Sequence, residues 1–284
     1  MQIWNNRQVQ KLIALALDED LGSGDVTSEL CVGTGFSSFA KILARQDLMV
    51  CGIGAIEAIF ASLGAKVEVV AAVADGDVVM ANTPLATLSG ATSDLLAAER
   101  IILNFLQRLS GIASHCNAIA VTAPGLVLLD TRKTTPGWRM LEKYAVRTGG
   151  GHNHRNSLGD MILVKDNHID ANGGDVRATL KHINQNKPPY MPVEVEVRSL
   201  EELEVVLECG CDVVMLDNMG DRELEKALAM LKQTSFKVPL VEVSGGVTDE
   251  HFEVFQTLGV ACVSMGALTT QATWVDISMC IESA

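Results

Sequence analysis

Seven cationic side chains fall between residues 132 and 168: Arg132, Lys133, Arg139, Lys143, Arg147, Arg155 and Lys165. Only Glu142, Asp160 and Asp166 oppose them. The window carries +4 in a chain whose formal net charge is −13, so the remainder carries −17. His152, His154 and His168 lie in the same window. A cationic pocket in an acidic protein suits an anionic ligand, and a cleft would focus its field. Arg139 and Lys143 read as the solvated face of a helix. Arg132, Lys133, Arg155 and Lys165 sit at strand ends or beside glycines, where a solvated face does not account for them. Arginine there offers bidentate contacts to carboxylate or phosphate.

Three other groups could do chemistry. Gly149-Gly150-Gly151 precedes His152-Asn153-His154-Arg155, and glycine permits close backbone approach to a ligand, so a ligand loop is expected. The run follows a helix rather than a strand, and neither a dinucleotide fingerprint nor a P-loop is present. Glu196 and Asp217 close two neighbouring strands; two carboxylates beside an anion pocket suit Mg²⁺ shared with a substrate phosphate. Glu194 reads equally well as a structural ion-pair partner. Ser244-Gly245-Gly246 and Ser264-Met265-Gly266 follow consecutive strands and could turn backbone N–H groups toward a phosphate.

These residues need a scaffold that gathers strand ends. From residue 126 onward short apolar runs alternate with helical periodicity. Strands are expected at 126–129, 161–164, 193–197, 213–216, 240–243 and 262–265. Helices are expected at 140–148, 176–184, 200–208, 222–232 and 249–258. Six strands with intervening helices mean a parallel α/β arrangement, a closed or nearly closed barrel with its chemistry at the C-terminal strand ends. Before it, residues 9–20 read as a helix, 36–88 as a small sheet with a helix at 54–63, and Ser93 caps a helix running to about 110.

Composition narrows the function classes. An acidic chain with 35 carboxylates against 22 cations is a poor binder of nucleic acid or anionic membrane. At 48% hydrophobic and 20% charged it is too apolar for disorder. No apolar run is long enough for a membrane span, and residues 1–7 lack a signal-like region. Seven scattered cysteines suit a reducing, cytoplasmic setting. The Cys209/Cys211 pair has no second pair at metal-site spacing, so buried thiols are expected.

Taken together, Asp130 to Gly137, Glu142 to Val146, Gly149 to Arg155 and Lys165-Asp166-Asn167-His168 resemble quinolinate phosphoribosyltransferase, the decarboxylating nicotinate-nucleotide pyrophosphorylase family. So do Glu19-Asp20 through Thr27, Glu99-Arg100, Glu194-Val195-Glu196, Leu216-Asp217-Asn218, Ser244 to Gly246 and Met265 to Thr269, in order along almost the whole chain. The resemblance implies an N-terminal α/β sandwich domain at 1–110, an incomplete parallel α/β barrel at 111–266, and a segment at 267–284 that packs back on the first domain. It implies transfer of phosphoribosyl from phosphoribosyl pyrophosphate to quinolinate with loss of CO₂, in NAD biosynthesis, with Mg²⁺ and no organic cofactor. It implies a homodimer or a hexamer built as a trimer of dimers, with a shared active site. By the same resemblance Arg100 comes from the neighbouring subunit, and Arg132, His154, Arg155 and Lys165 line the quinolinate pocket. Thr131 and Lys133 meet the phosphoribosyl donor, and Glu196 and Asp217 hold its ribose and Mg²⁺. Ser244, Gly245, Gly246, Ser264, Met265 and Gly266 cradle its 5′-phosphate. Lys133, Lys165, Glu196 and Asp217 form the catalytic set. Trp138 and Thr270-Gln271 depart from the family's usual residues. A molybdenum-operon paralogue and nicotinate phosphoribosyltransferase fit the motifs less well. A non-catalytic protein of this fold would be expected to lose charged pocket residues, and none is lost.

Overall fold

The computed structural model describes residues 3–32, 35–260 and 262–283. In chain order its helices are α1 (Arg7–Leu21), α2 (Val26–Cys31), α3 (Gly54–Leu63), α4 (Thr92–Thr122), α5 (Arg139–Thr148), α6 (Asp166–Ala171), α7 (Val176–Asn186), α8 (Leu200–Cys209), α9 (Asp221–Gln233), α10 (Phe252–Leu258) and α11 (Ala267–Thr270). Its strands are β1 (Ser37–Ala44), β2 (Leu48–Met49), β3 (Glu68–Ala71), β4 (Val78–Val79), β5 (Pro84–Ala91), β6 (Val127–Leu129), β7 (Ile162–Val164), β8 (Val193–Val197), β9 (Val213–Asp217), β10 (Leu240–Ser244), β11 (Cys262–Ser264) and β12 (Ile277–Ser283). Contacts divide the chain into two compact units. One comprises Met1–Ala118, Lys133–Gly151 and Ala267–Ala284; the other comprises Ile119–Arg132 and His152–Gly266.

The first unit holds an antiparallel sheet in the order β12-β1-β5-β3. On β1 the side chains of Ser38, Ala40, Ile42 and Ala44 are buried while those between them are more exposed, the period-two pattern of a strand with one face on a core. Helix α1 buries Val9, Ile13 and Leu17 at four-residue spacing, one stripe of a 3.6-residue period. Asn6 caps it by accepting the Gln8 N–H at 2.8 Å, and residue 6 thus sets where the helix begins. Helix α4 runs twelve residues past the end expected near 110. Its apolar stripe continues through Ile112, Ala113, Cys116 and Ile119, all buried. Gly111, which reads as a break, is there because the 273–274 backbone crosses it: a Cβ on Gly111 would lie 2.1 Å from the Thr273 carbonyl oxygen.

The glycine run has the same explanation. A Cβ on Gly149 would lie 2.5 Å from the Ala113 carbonyl oxygen, and one on Gly151 would lie 2.9 Å from the Cys116 sulfur. These two glycines let the end of α5 pack on α4, so the expectation of a ligand loop gives way to a packing role. Lys143 is a second correction. It is 2% exposed, not part of a solvated face. Trp138, a departure from the family pattern, packs on Phe105 with ring centroids 4.6 Å apart.

The second unit is a six-stranded parallel sheet in the order β6-β11-β10-β9-β8-β7. All six expected strands are present. This order is the chain order wrapped into a ring with a seam between β6 and β7, which among the described residues do not pair with each other. An all-parallel sheet is buried on both faces, and every residue of β8 is buried. Register fixes which residues share a face. Glu196 lies beside Met215, and Met215 beside Glu242; one pleat further along, Asp217 lies beside Ser244, and Ser244 beside Ser264. Glu194, Glu196, Asp217, Glu242, Ser244 and Ser264 therefore project to one side of the sheet. Val195, Val214, Leu216 and Val243 project to the other and are buried.

Candidate active site

Asp130, the residue after β6, anchors the site and is fully buried. Its backbone N–H donates to the His152 carbonyl at 3.0 Å, and Leu129 forms a parallel bridge with His152. The Asp130 carboxylate accepts from Asn153 Nδ2 at 2.7 Å and from the His154 N–H at 2.9 Å. The 152–154 segment thereby runs along the free edge of β6. Asp130 was not among the sequence-derived site residues; its place directly after a strand was the available signal.

His154 has both ring nitrogens engaged. Nδ1 accepts the Arg155 backbone N–H at 2.8 Å, which leaves the ring proton on Nε2. Nε2 lies 3.1 Å from a Glu194 oxygen and 3.6 Å from a Glu242 oxygen. Glu194 is fully buried and Glu242 2% exposed. Neither Glu194 oxygen makes a hydrogen bond, nor does Glu242 Oε1. Burial, and then the neighbouring Glu194 charge, push the Glu242 carboxyl up to about 7, with Ser264, His154 and Lys165 acting the other way. Glu194 thus pairs with a histidine rather than with the Lys or Arg that a structural reading would supply. Glu242 is a site residue that sequence reasoning missed, although its i, i+2 spacing from Ser244 on one strand face could have marked it.

Two guanidinium groups stand nearby. Burial, and then the charge of Arg132, hold the Arg155 guanidinium below its usual range, while Glu194 and Asp160 oppose that shift. Arg155 Nη1 also donates to the Met161 carbonyl at 3.2 Å. Two like charges close enough to repel are costly unless an anion joins them.

Along the strand ends, Lys165 forms an ion pair with Glu196, whose side chain is 8% exposed. Lys165 also starts α6, its N–H donating to His168 Nδ1 at 2.9 Å, so His168 is a helix cap. Asp217 accepts from Asn218 Nδ2 at 2.6 Å. Asn218 adopts a left-handed backbone and lies against Gly245, where a Cβ would be 2.3 Å from the Asn218 side-chain oxygen. Gly246, also left-handed, has open space where its Cβ would be. In the last turn the Met265 N–H is taken up by the Leu129 carbonyl at 2.9 Å, so a phosphate held there would have to be met by other groups of the two turns. Glu196 and Asp217 offer hard carboxylate oxygens on one sheet face near the strand ends, a donor set that fits Mg²⁺ completed by substrate oxygens.

Thr131 is half-buried in the second unit beside Arg132. Arg100 and Lys133 belong to the first unit. Arg100 is an exposed residue of α4. The carbonyl of Lys133 accepts from Thr269 Oγ1 at 2.7 Å. A buried network follows Lys133 in the chain: Arg108 Nη2 donates to Glu142 at 2.8 Å and to the Thr269 carbonyl at 3.0 Å, and Nη1 donates to the Ala272 carbonyl at 3.0 Å. Glu142 also accepts from the Thr135 hydroxyl at 2.8 Å.

Comparison with known proteins finds relatives along nearly the whole chain. The family model for the quinolinate phosphoribosyl transferase N-terminal domain matches residues 25–110, and that for its C-terminal domain matches residues 112–280. A Bacillus subtilis protein described as a probable nicotinate-nucleotide pyrophosphorylase (carboxylating) is 39% identical over 97% of this chain and 94% of its own. A Nicotiana tabacum quinolinate phosphoribosyltransferase (decarboxylating) is 39% identical over 96% of this chain and 82% of its own. The crystal structure of NadC from Streptococcus pyogenes superposes with a TM-score of 0.91 at 34% identity, over 98% of this chain and 97% of that one.

Proposed function

The chain belongs to the quinolinate phosphoribosyltransferase family, and we propose that its charged strand ends divide the family reaction among them as follows. The enzyme is a pentosyltransferase. It transfers phosphoribosyl from phosphoribosyl pyrophosphate to quinolinate, releasing pyrophosphate and CO₂ and forming nicotinate mononucleotide for NAD biosynthesis.

Quinolinate carries two adjacent carboxylates. Arg132 and Arg155 meet them, with Lys165 and His154 completing the pocket, and the mutual repulsion of the two guanidinium groups is relieved when the dianion enters. Arg100 reaches the quinolinate of a neighbouring subunit in a homodimer or a trimer of dimers. Thr131 and Lys133 contact the phosphoribosyl donor. Its 5′-phosphate lies on the Ser244–Gly246 and Ser264–Gly266 turns, with Gly246 giving the most open approach. Glu196 and Asp217 face the ribose and would hold Mg²⁺, which supplies positive charge to the departing pyrophosphate. Carboxylates beside the sugar also stabilise the oxocarbenium-like state at the anomeric carbon. The pyridine nitrogen bonds to that carbon as the C–O bond to pyrophosphate breaks. The resulting pyridinium takes up the electron pair when the 2-carboxylate leaves as CO₂, and a proton then replaces CO₂ at that carbon. No covalent nucleophile or organic cofactor enters, so catalysis is positioning and electrostatics.

The observation that carries this reading is the half-buried Arg155 guanidinium, which lies close enough to Arg132 to feel its charge and close enough to Glu194 and Asp160 to be partly offset by them. Among the described residues no helix is long and apolar enough to cross a membrane. The seven free cysteines favour the reducing cytoplasm as its location. Neither nucleic acid nor membrane is a partner in this reading. Carboxyl-labelled quinolinate, phosphoribosyl pyrophosphate and Mg²⁺ should yield labelled CO₂ with the purified protein. Failure to release label under conditions where the protein is folded would refute the assignment.

A further inference from the structure

We propose that Glu194 and Glu242 are positioning residues for the quinolinate pocket, acting through the His154 ring on the backbone that presents Arg155. This rests on the reading of Arg155 as a quinolinate ligand.

The chain of contacts is continuous. Two buried carboxylates from β8 and β10 face the Nε2 end of His154 at 3.1 and 3.6 Å. The opposite end of the ring, Nδ1, accepts the Arg155 N–H at 2.8 Å. A neutral imidazole has one donor nitrogen and one acceptor nitrogen. Carboxylates at Nε2 favour the proton there, and that choice makes Nδ1 the acceptor the Arg155 N–H requires. The other tautomer would set an N–H of the ring against the backbone N–H and a bare nitrogen against two carboxylates. The backbone of residue 154 is held independently, because its own N–H donates to Asp130. The ring is therefore the link between the sheet interior and the Arg155 backbone.

The charges fit the same role. The imidazole nitrogen and the two carboxylates converge within 4.8 Å, a group of metal-ligating type. Here Arg155 and Lys165 already act on the carboxylates as cations. A buried carboxylate with no hydrogen bond of its own is expensive to keep. Its place within reach of the Arg155 guanidinium gives it a task in a position where a purely structural core would carry an apolar side chain.

Steady-state kinetics on the full enzyme test this. Glu194→Gln should raise the quinolinate KM by about tenfold, the scale of one lost charge-assisted contact. The KM for phosphoribosyl pyrophosphate should stay within about twofold of the parent, on the same reasoning. Glu242→Leu should behave likewise, and Glu242→Gln, which keeps the shape and a polar group, should recover most of the loss. In an Arg155→Lys background the Glu194→Gln substitution should add little further effect. Glu194→Gln leaving the quinolinate KM unchanged, or raising it equally in both backgrounds, would overturn the proposal while leaving Arg155 as a ligand. Arg155→Lys leaving the quinolinate KM unchanged would overturn it through the reading on which it rests. Imidazole ¹⁵N resonances of His154 in the unaltered enzyme give a measurement free of any folding defect: Nε2 should carry the proton and Nδ1 should not. The reverse assignment would also overturn the proposal.

Discussion

The two units handle buried charge in opposite ways. In the first, Arg108 and Glu142 form a closed network. The guanidinium meets one carboxylate and two carbonyls, and the carboxylate also takes the Thr135 hydroxyl. In the second, Arg132 and Arg155 repel each other, Glu194 has no hydrogen bond, and Glu242 is pushed toward its neutral form. A closed network has nothing left to offer a ligand. A site with repelling cations and buried carboxylate oxygens that lack hydrogen bonds is held in that condition by the surrounding fold and is eased when substrate arrives. The difference separates charges that build the molecule from charges that work in it, which residue type alone does not reveal.

Substitutions can break or sharpen this contrast. Arg155→Ala should lower kcat/KM with quinolinate by about 10²- to 10³-fold, since a charge-assisted contact to a dianion is lost. Its thermal midpoint should fall less than that of the next variant, because relief of the repulsion from Arg132 offsets part of the lost attraction to Glu194 and Asp160. A midpoint that falls as far as in the next variant would erase the distinction. Arg108→Ala should destabilise the protein by about 3–5 kcal/mol in urea titration, because it leaves Glu142 buried without its cation. A loss under about 1 kcal/mol, the range of exposed pairs, would mean that this network is not the closed one described.

A smaller effect concerns pH. The folded-state value of Glu242 lies above its unfolded value of 4.5. Stability from this group is therefore complete below about 4.5 and is lost as pH rises through about 7. Glu242→Gln should be more stable than the parent at pH 8 by roughly 1–3 kcal/mol, and the advantage should vanish near pH 4.5. Denaturation curves at the two pH values would show it, and an advantage independent of pH would contradict the assigned cause.

Much of this architecture was legible in advance. The six parallel strands are short Val/Leu/Ile runs bounded by polar residues, a pattern that survives without tertiary context. Lys165, Glu196, Asp217 and Ser244 stand out in the sequence because they close those runs. Other features were not legible, for reasons that lie in packing. Gly111, Gly149 and Gly151 look like breaks or ligand loops, yet each is small because another part of the same unit passes within 3 Å of where its Cβ would be. Lys143 looks like a helix surface, yet it is buried. Glu242 sits in an apolar strand with no motif of its own. Its importance comes from two other strands and a histidine that only the register brings together. Local periodicity reports which elements form, and it does not report which side chain another element will need room beside.

The pairing order also has a bearing on how the chain is made. Strand β11 near the C-terminus pairs with β6, and β12 pairs with β1. Each sheet therefore depends on a strand drawn from residues 262–283. During synthesis neither can be completed until that stretch has left the ribosome, and the preceding strands must wait with their edges unpaired. That stretch is a double latch. Its emergence, rather than that of either half before it, is the event that commits both units to their final form.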